Sequence, residues 1–389
     1  MQGDLLEALL DQADLTTPAF VIDVQTLRED AEATRLAAAD EETQVLLALK
    51  AFSVPAALRI VGEIVDGFAA SSLFELQLAR RVGGHRHSLH LTTPGLRPDE
   101  IGPIGALADY LSFNSLTQWQ RYRDRVPRRV SCGLRVNPQR SYVGDARYDP
   151  CRESSKLGVP LDRLKALLGH DPGSLEGLEG LHFHTNCDCS DLQPLLETVE
   201  CLLGELDPLF DRLRWINFGG GYLFHAPQHL DALSRAKKRL RARGSYRLFM
   251  EPGAAMVRRA GYLVSTVVDL FPSGDRQVAV LDTSVNHMPE VFEYQFAPDV
   301  LGDSDSGEFE YLLAGSACLA GDLFGDYAFA EPLTTGSRVI FPDLGAYSLV
   351  KSNMFNGINL PTLYLLTENG ELQALKRYRF EDFLSLCGE

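Results

Sequence analysis

Long apolar runs are missing from this 389-residue chain: no stretch approaches the roughly eighteen consecutive apolar residues that a membrane-spanning helix needs. Basic charge is scarce. Against 53 Asp and Glu there are 37 Lys and Arg, a formal charge of −16, which is a poor basis for gripping nucleic acid or an anionic bilayer. Cysteine is sparse too. Cys132, Cys151, Cys187, Cys189, Cys201, Cys318 and Cys387 are odd in number and irregularly spaced, so the expectation is a reduced, cytoplasmic protein without a disulfide framework. Cys187 and Cys189 look like half of a metal site, but no second pair stands at a suitable spacing, and no metal is expected. The opening MQGDLLEALLDQAD is acidic where a signal peptide would be basic. Internal repeats and low-complexity segments are absent. What remains is an ordinary globular composition, 45% hydrophobic and 23% charged.

Short apolar runs alternate with amphipathic stretches over the first two-thirds of the chain. The runs that read as strands are Gln44–Lys50, Asp66–Ser71, His87–Thr92, Asp109–Phe113, Arg129–Val136, Leu178–His184, Arg214–Phe218 and Tyr246–Glu251. Between the second and third, LFELQLARRVG places Leu73, Leu76, Leu78 and Val82 near one helical face. Eight strand–helix units in about 210 residues match a (β/α)8 barrel. An open doubly wound sheet is the alternative; the count of eight and the absence of GxGxxG after the first strand favour the barrel. Near residue 260 the pattern changes. GYLVSTVVDLF, RQVAVLDTS, SRVIFPDLG and PTLYLLTENGELQALKRY are β-rich, with a turn signal at Asn369-Gly370, and TPAFVID from Thr17 is a candidate to pair with them. Two domains are expected: a barrel over 24–258, and a mostly-β domain made of 1–23 and 259–389. GDSDSG, from Gly302, reads as a surface loop.

Barrel chemistry gathers at the C-terminal ends of the strands. Those ends carry Lys50, Ser71 with Ser72, Asn114, Asn137, His184, Gly219–Gly221 and Glu251. A lysine closing an apolar strand either snorkels to water or is desolvated, which lowers its pKa and favours Schiff-base chemistry. Three glycines after WINF make either a tight turn or an anion cradle. Glu251 is either a turn acid or a carboxylate placed to pair with a protonated ring nitrogen. His184 in HFHTN either stacks on a flat ligand or fills the core, with His182 on the same strand face. In the β-rich part, Cys318-Leu-Ala-Gly-Asp322 reads as a thiol proton donor with an amine-binding acid, or as an inert thiol with a loop aspartate. Gly345-Ala-Tyr347 is a similar polar interruption.

Taken in order, LLALKAF, SSLFEL, GLRVNP, SSKLG, FHTNC, NFGGGY, EPGAA, LDTSVNHMPEV, GSACLAGDLFGDY and KSNMFNG resemble the fold-type III, alanine-racemase-like pyridoxal-phosphate decarboxylases over nearly the whole chain. The resemblance is greatest to their carboxynorspermidine/carboxyspermidine branch in polyamine biosynthesis. It implies that Lys50 holds pyridoxal phosphate covalently and that Gly219, Gly220 and Gly221, helped by Tyr347, take the phosphate. By the same likeness His184 stacks on the ring and Glu251 faces the ring nitrogen. It further implies a homodimer in which Cys318 and Asp322 reach the partner's site, Cys318 as proton donor and Asp322 with Asp282 toward the amines of a cationic substrate. Diaminopimelate decarboxylases carry Glu after the active-site Cys and Arg after EPG, and ornithine decarboxylases carry Asp after that Cys. Here those positions are Leu319 and Ala254. Within the branch EPGEA is common, so Ala254 is a departure that bears on the substrate. Other decarboxylases of basic amino acids and a non-catalytic polyamine binder are the alternatives.

Overall fold

The computed structural model describes residues 15–224 and 230–389; the acidic opening, and the part of the expected β domain before residue 15, lie outside the described residues. Two compact units divide the chain: Asp30–Met256, and the chain up to Glu29 together with Val257–Glu389. The first division falls inside the helix Val24–Ala38.

Strand β1 (Ala19–Asp23) belongs with the β-rich unit. The other unit runs through β2 (Thr43–Ala48), β3 (Gly67–Ala70), β4 (Ser88–Thr93), β5 (Tyr110–Phe113), β6 (Ser131–Asn137), the two-residue β7 (Val159–Pro160), β8 (Gly180–His182), β9 (Trp215–Asn217) and β10 (Arg247–Met250). The order β5-β4-β3-β2-β10-β9-β8-β6 is parallel throughout, and β5 also pairs with β6, so eight strands close into a barrel. That closure excludes the open doubly wound sheet. Strands covered on both faces need continuous apolar sequence. VLLA in β2 and GFAA in β3 supply it, and those residues are buried.

The lower layer of the barrel is set by one large side chain. Gly133, Gly180 and Trp215 lie side by side in register on β6, β8 and β9. The Trp215 indole fills the space the two glycines leave: a Cβ on Gly180 would come within 1.8 Å of the ring, and one on Gly133 within 2.5 Å. Its Nε1–H donates to Ser131 Oγ at 2.8 Å. Tyr110 meets the indole edge-on at 5.5 Å and stacks on buried His90 at 4.3 Å. This plug closes the lower end and leaves the open end of the barrel at the strand C-termini.

All eight sequence-read strands exist, but five end earlier than read; β3 stops at Ala70 and β9 at Asn217, each one residue short. β2 stops at Ala48, and Lys50 lies in the 3-10 turn Leu49–Ala51. β8 stops at His182, two residues before His184, and β10 stops at Met250, one before Glu251. Apolar content continues past the last ladder bond, so hydrophobicity alone overruns the strand.

The β-rich unit forms a separate sheet from β1, β11 (Gly261–Ser273), β12 (Arg276–Leu281), β13 (Phe309–Ala314), β14 (Leu323–Phe329), β15 (Arg338–Phe341), β16 (Thr362–Leu366) and β17 (Leu372–Lys376). Its order is β14-β13-β12-β11-β1-β16-β17, with β15 also on β11. β1 is central, antiparallel to β11 and parallel to β16, and all five of its residues are buried. The sequence reading had β1 in this sheet but did not single out β13 or β14, which flank the CLAGD interruption. Among the described residues no helix is long and apolar enough to cross a membrane.

Candidate active site

At the open end of the barrel a cavity has Ala48, Ala69 and Ala70 as its apolar lining, and Lys50, Ser71, Thr92, Arg135, His182, His184 and Glu251 as its polar one. Each side chain is placed by a short local device. The Lys50 turn is tied to the segment after β10, where Ala48 N–H donates to Pro252 O at 3.0 Å. Gly253 permits that approach, since a Cβ there would come 2.8 Å from the Ala51 Cβ. After β3, Ser72 caps the helix Leu73–Gly83 by accepting from Glu75 N–H at 3.2 Å, and Glu75 accepts in return from Ser71 N–H at 2.6 Å. This reciprocal cap satisfies two orphan donors and holds a carboxylate at the cavity's edge.

Glu251 is 12% exposed, and its Oε1 accepts from Asn217 Nδ2 at 2.6 Å. The Asn217 Oδ1 accepts from Gly219 N–H at 2.8 Å, so one amide joins the carboxylate to the glycine run. Gly220 N–H donates to His184 Nδ1 at 3.0 Å, which fixes the plane of that ring. The run is crowded. A Cβ on Gly219, Gly220 or Gly221 would fall 2.5 Å from Phe183 O, 2.1 Å from Glu251 O or 2.0 Å from Asn186 O respectively, and Gly219 and Gly221 have φ of +65° and +87°. The amides of Gly219 and Gly220 are thus engaged within the protein. The run serves first for close backbone approach.

The electrostatics follow from depth. Burial lowers the Lys50 amine from its usual range and the Arg135 charge adds to this, while Glu251, Cys187 and Glu75 oppose it. Lys50 as a residue is still exposed, because the mouth above it is open. The surrounding protein, rather than loss of its own surface, depresses its amine. Burial raises Glu251, against the Asn217 hydrogen bond and the Lys50 and Arg135 charges. Burial also holds His182 and His184 neutral, with neighbouring cations adding to the effect. The Nε2 of His182 is buried without a hydrogen-bond partner among the described residues, 3.8 Å from Glu251 Oε2.

Lys50, His184, Gly219, Gly220, Gly221 and Glu251 therefore converge, all within the barrel unit. The other sequence-read candidates lie in the β-rich unit. Cys318 is exposed, and its N–H donates to Asn356 Oδ1 at 2.8 Å. Asp282 accepts from Ser265 Oγ at 2.6 Å and Thr266 N–H at 2.9 Å. Tyr347 is half-buried with φ of +58°. Asp322, read as an amine ligand, is 2% exposed with both carboxylate oxygens hydrogen-bonded inside its own unit. Arg135, Glu75 and Asn217 were not singled out. Arg135 and Glu75 sit in motifs that had been noted, GLRVNP and SSLFEL, but an arginine in a strand and an acid in a first helical turn are both ordinary, and only proximity to Lys50 distinguishes them.

This set suits an aromatic aldehyde carrying a phosphate. A desolvated amine is a nucleophile, a buried carboxylate stabilises a protonated ring nitrogen, and a fixed imidazole offers a face for stacking. The unpartnered His182 nitrogen lines the same cavity.

Comparison with known proteins agrees. Residues 25–258 match the family described as pyridoxal-dependent decarboxylase, pyridoxal binding domain. The chain is 35% identical to a carboxyaminopropylagmatine decarboxylase from Synechocystis sp., over 97% of this chain and 96% of that one. It is 33% identical to a carboxynorspermidine/carboxyspermidine decarboxylase from Campylobacter jejuni, over 95% and 98% of the two chains. A crystal structure of carboxynorspermidine decarboxylase complexed with norspermidine, also from C. jejuni, matches with a TM-score of 0.84 at 31% identity, covering 96% of this chain and 100% of that one. A diaminopimelate decarboxylase structure shares the fold, with a TM-score of 0.85 at 22% identity, covering 98% and 96%. A barrel with a lysine of depressed pKa, a glycine run and a largely buried acid at its open end, and relatives of this identity along nearly the full length, lead to one conclusion: the chain belongs to the pyridoxal-dependent decarboxylases, and its cofactor is pyridoxal phosphate.

Proposed function

We propose that this enzyme removes the α-carboxylate of a carboxylated polyamine, with carboxynorspermidine and carboxyspermidine as the foremost substrates. The observation that carries the reading is the convergence of a depressed lysine amine with buried Glu251, Arg135 and two neutral imidazoles in one cavity. The C. jejuni relatives named for these substrates support it. Leu319 and Ala254 offer no charge to a second amino-acid head, which speaks against diaminopimelate.

The cofactor, when bound, supplies a sink for the electron pair left behind as carbon dioxide departs. Lys50, whose amine is kept below its ordinary range by burial and Arg135, would hold the cofactor through its aldehyde. Glu251 would face the ring nitrogen and favour its protonated form, and Asn217 holds Glu251 in register with the glycines. His184, its ring held by Gly220 N–H, would stack on the ring and exclude water from that side. Cys318 then protonates Cα: its S–H bond breaks, a C–H bond forms, and the thiolate recovers a proton from solvent. The net reaction consumes one proton and turns a carboxylate into carbon dioxide and a C–H bond. Asp282 faces the substrate's amines in this reading.

Two copies form the working unit, with Cys318 supplied in trans. Mixing Lys50→Ala, which is inactive, with Cys318→Ala, which forms no amine product, then restores about one quarter of parental amine formation, since half the dimers are mixed and each mixed dimer has one intact site. Failure to restore any activity, with mixed dimers present by mass spectrometry, would rule out sharing.

A second reading, carboxyaminopropylagmatine, is favoured by the 35% identical relative. Carbon dioxide release is the deciding assay across carboxynorspermidine, carboxyspermidine, carboxyaminopropylagmatine, diaminopimelate, ornithine, arginine and lysine. The expected result is a kcat/KM for one of the first three at least about 100-fold above the rest, some 2.7 kcal/mol of discrimination. Preferred turnover of diaminopimelate would overturn the proposal.

A further inference from the structure

The loop that carries Cys318 is held in an unusual way. It leaves β13 at Ala314 and rejoins the sheet at Leu323, and each of two successive backbone N–H groups is taken by a side chain. Ala317 N–H donates to Asp322 Oδ2 at 2.7 Å, and Cys318 N–H donates to Asn356 Oδ1 at 2.8 Å. The other Asp322 oxygen accepts from Val285 N–H at 2.7 Å and Ser284 Oγ at 3.1 Å, so one carboxylate ties the thiol loop to the segment after β12. Gly315 makes room for it, since a Cβ there would lie 2.3 Å from Asp322 Oδ2. Asn356 is in the left-handed region, at φ +58° and ψ 13°, inside the turn Phe355–Gly357. Asparagine tolerates that conformation better than most residues. An acid 2% exposed and accepting three hydrogen bonds is a poor ligand for a mobile ammonium, and a good anchor for backbone.

We infer that Asp322 and Asn356 are positioning residues that clamp the two peptides on either side of Ala317 and thereby aim the Cys318 thiol; Asp322 does not bind the substrate amine. The inference rests on the reading of Cys318 as the proton donor. If the clamp aims the thiol, loosening it changes where the proton goes rather than how tightly substrate binds. A proton that misses Cα would go to the cofactor's own carbon instead, and hydrolysis would then release an aldehyde in place of the amine product, with the substrate's nitrogen left on the cofactor as an amine.

Asn356→Gly is the cleanest variant, because glycine keeps the left-handed backbone and deletes only the acceptor. Asn356→Asp restores the acceptor. In the holoenzyme, Asn356→Gly is expected to speed amide hydrogen exchange across 315–321 by about tenfold. It is also expected to lower kcat and raise the aldehyde fraction with KM changed less than about twofold, and Asn356→Asp is expected to reverse both. Asp322→Asn, which sets an amide N–H against a backbone N–H, moves kcat and product in the same direction. Parental exchange and product ratio in Asn356→Gly would overturn the inference. So would a raised KM with unchanged kcat in Asp322→Asn, the signature of a lost amine contact. Cys318→Ala separates the two levels. If it forms aldehyde while Asn356→Gly does not, only the clamp fails. If it makes parental amine at the parental rate, the reading of Cys318 fails and the clamp's purpose goes with it.

Discussion

Lys50→Ala loses at least about 10⁴-fold in kcat/KM, equivalent to some 5–6 kcal/mol of transition-state stabilisation, and loses the visible absorption of the lysine-bound cofactor. The size follows from chemistry that no neighbour can replace. Arg135 is the nearby cation, but a guanidinium stays protonated and is no nucleophile at neutral pH. The variant should fold, because Lys50 lies in a 3-10 turn whose neighbours Leu49 and Ala51 carry the burial. Circular dichroism and melting temperature close to parental would separate lost chemistry from lost structure. Residual turnover within tenfold of parental would remove Lys50 from the mechanism.

Glu251→Gln is expected to lower kcat by about 10²–10³-fold, some 2.7–4.1 kcal/mol, because a neutral amide stabilises a protonated ring nitrogen less than a carboxylate does. Glutamine keeps the oxygen that accepts from Asn217 Nδ2, so the glycine run stays in place and the change isolates charge. The pH dependence has a defined sign. Burial raises the Glu251 pKa in the cofactor-free chain, so protonation sets in at a higher pH than for an ordinary carboxylate. Only the ionised acid favours a protonated ring, so cofactor affinity falls as pH falls through that raised value. Bound cofactor contributes a facing cation and draws the Glu251 pKa back down. Measured by cofactor titration, this acid limb should vanish in Glu251→Gln. An unchanged limb would assign it to another group.

These effects depend on different kinds of information. LLALK, FGGG and EPG were readable as chemistry because each breaks its local pattern: a charge ending an apolar run, three glycines after a strand, an acid before a turn-forming Pro-Gly. Eight alternating units marked the barrel for a similar reason, since strands buried on both faces must be apolar throughout. Arg135 and Glu75 break no pattern. One lies in a strand and the other completes a helix cap, as many arginines and glutamates do.

Asp322 marks the boundary between residue type and position. An acid four residues after an exposed cysteine invites an electrostatic role toward a cationic substrate. The fold instead surrounds it with Val285, Ser284 and Ala317 donors that are distant or unremarkable in sequence. Asn356 reaches Cys318 from 38 residues away, and no spacing rule connects them. Apolar periodicity was sufficient for the architecture, and the resemblance of the ordered motifs for the family and the cofactor, because both are properties of the chain. Which carboxylate lines the barrel cavity, which one accepts backbone N–H groups, and which glycine amides are already engaged follow from distances of a few ångströms between remote segments. Hydrogen bonding and desolvation act only at that range, and only folding creates it.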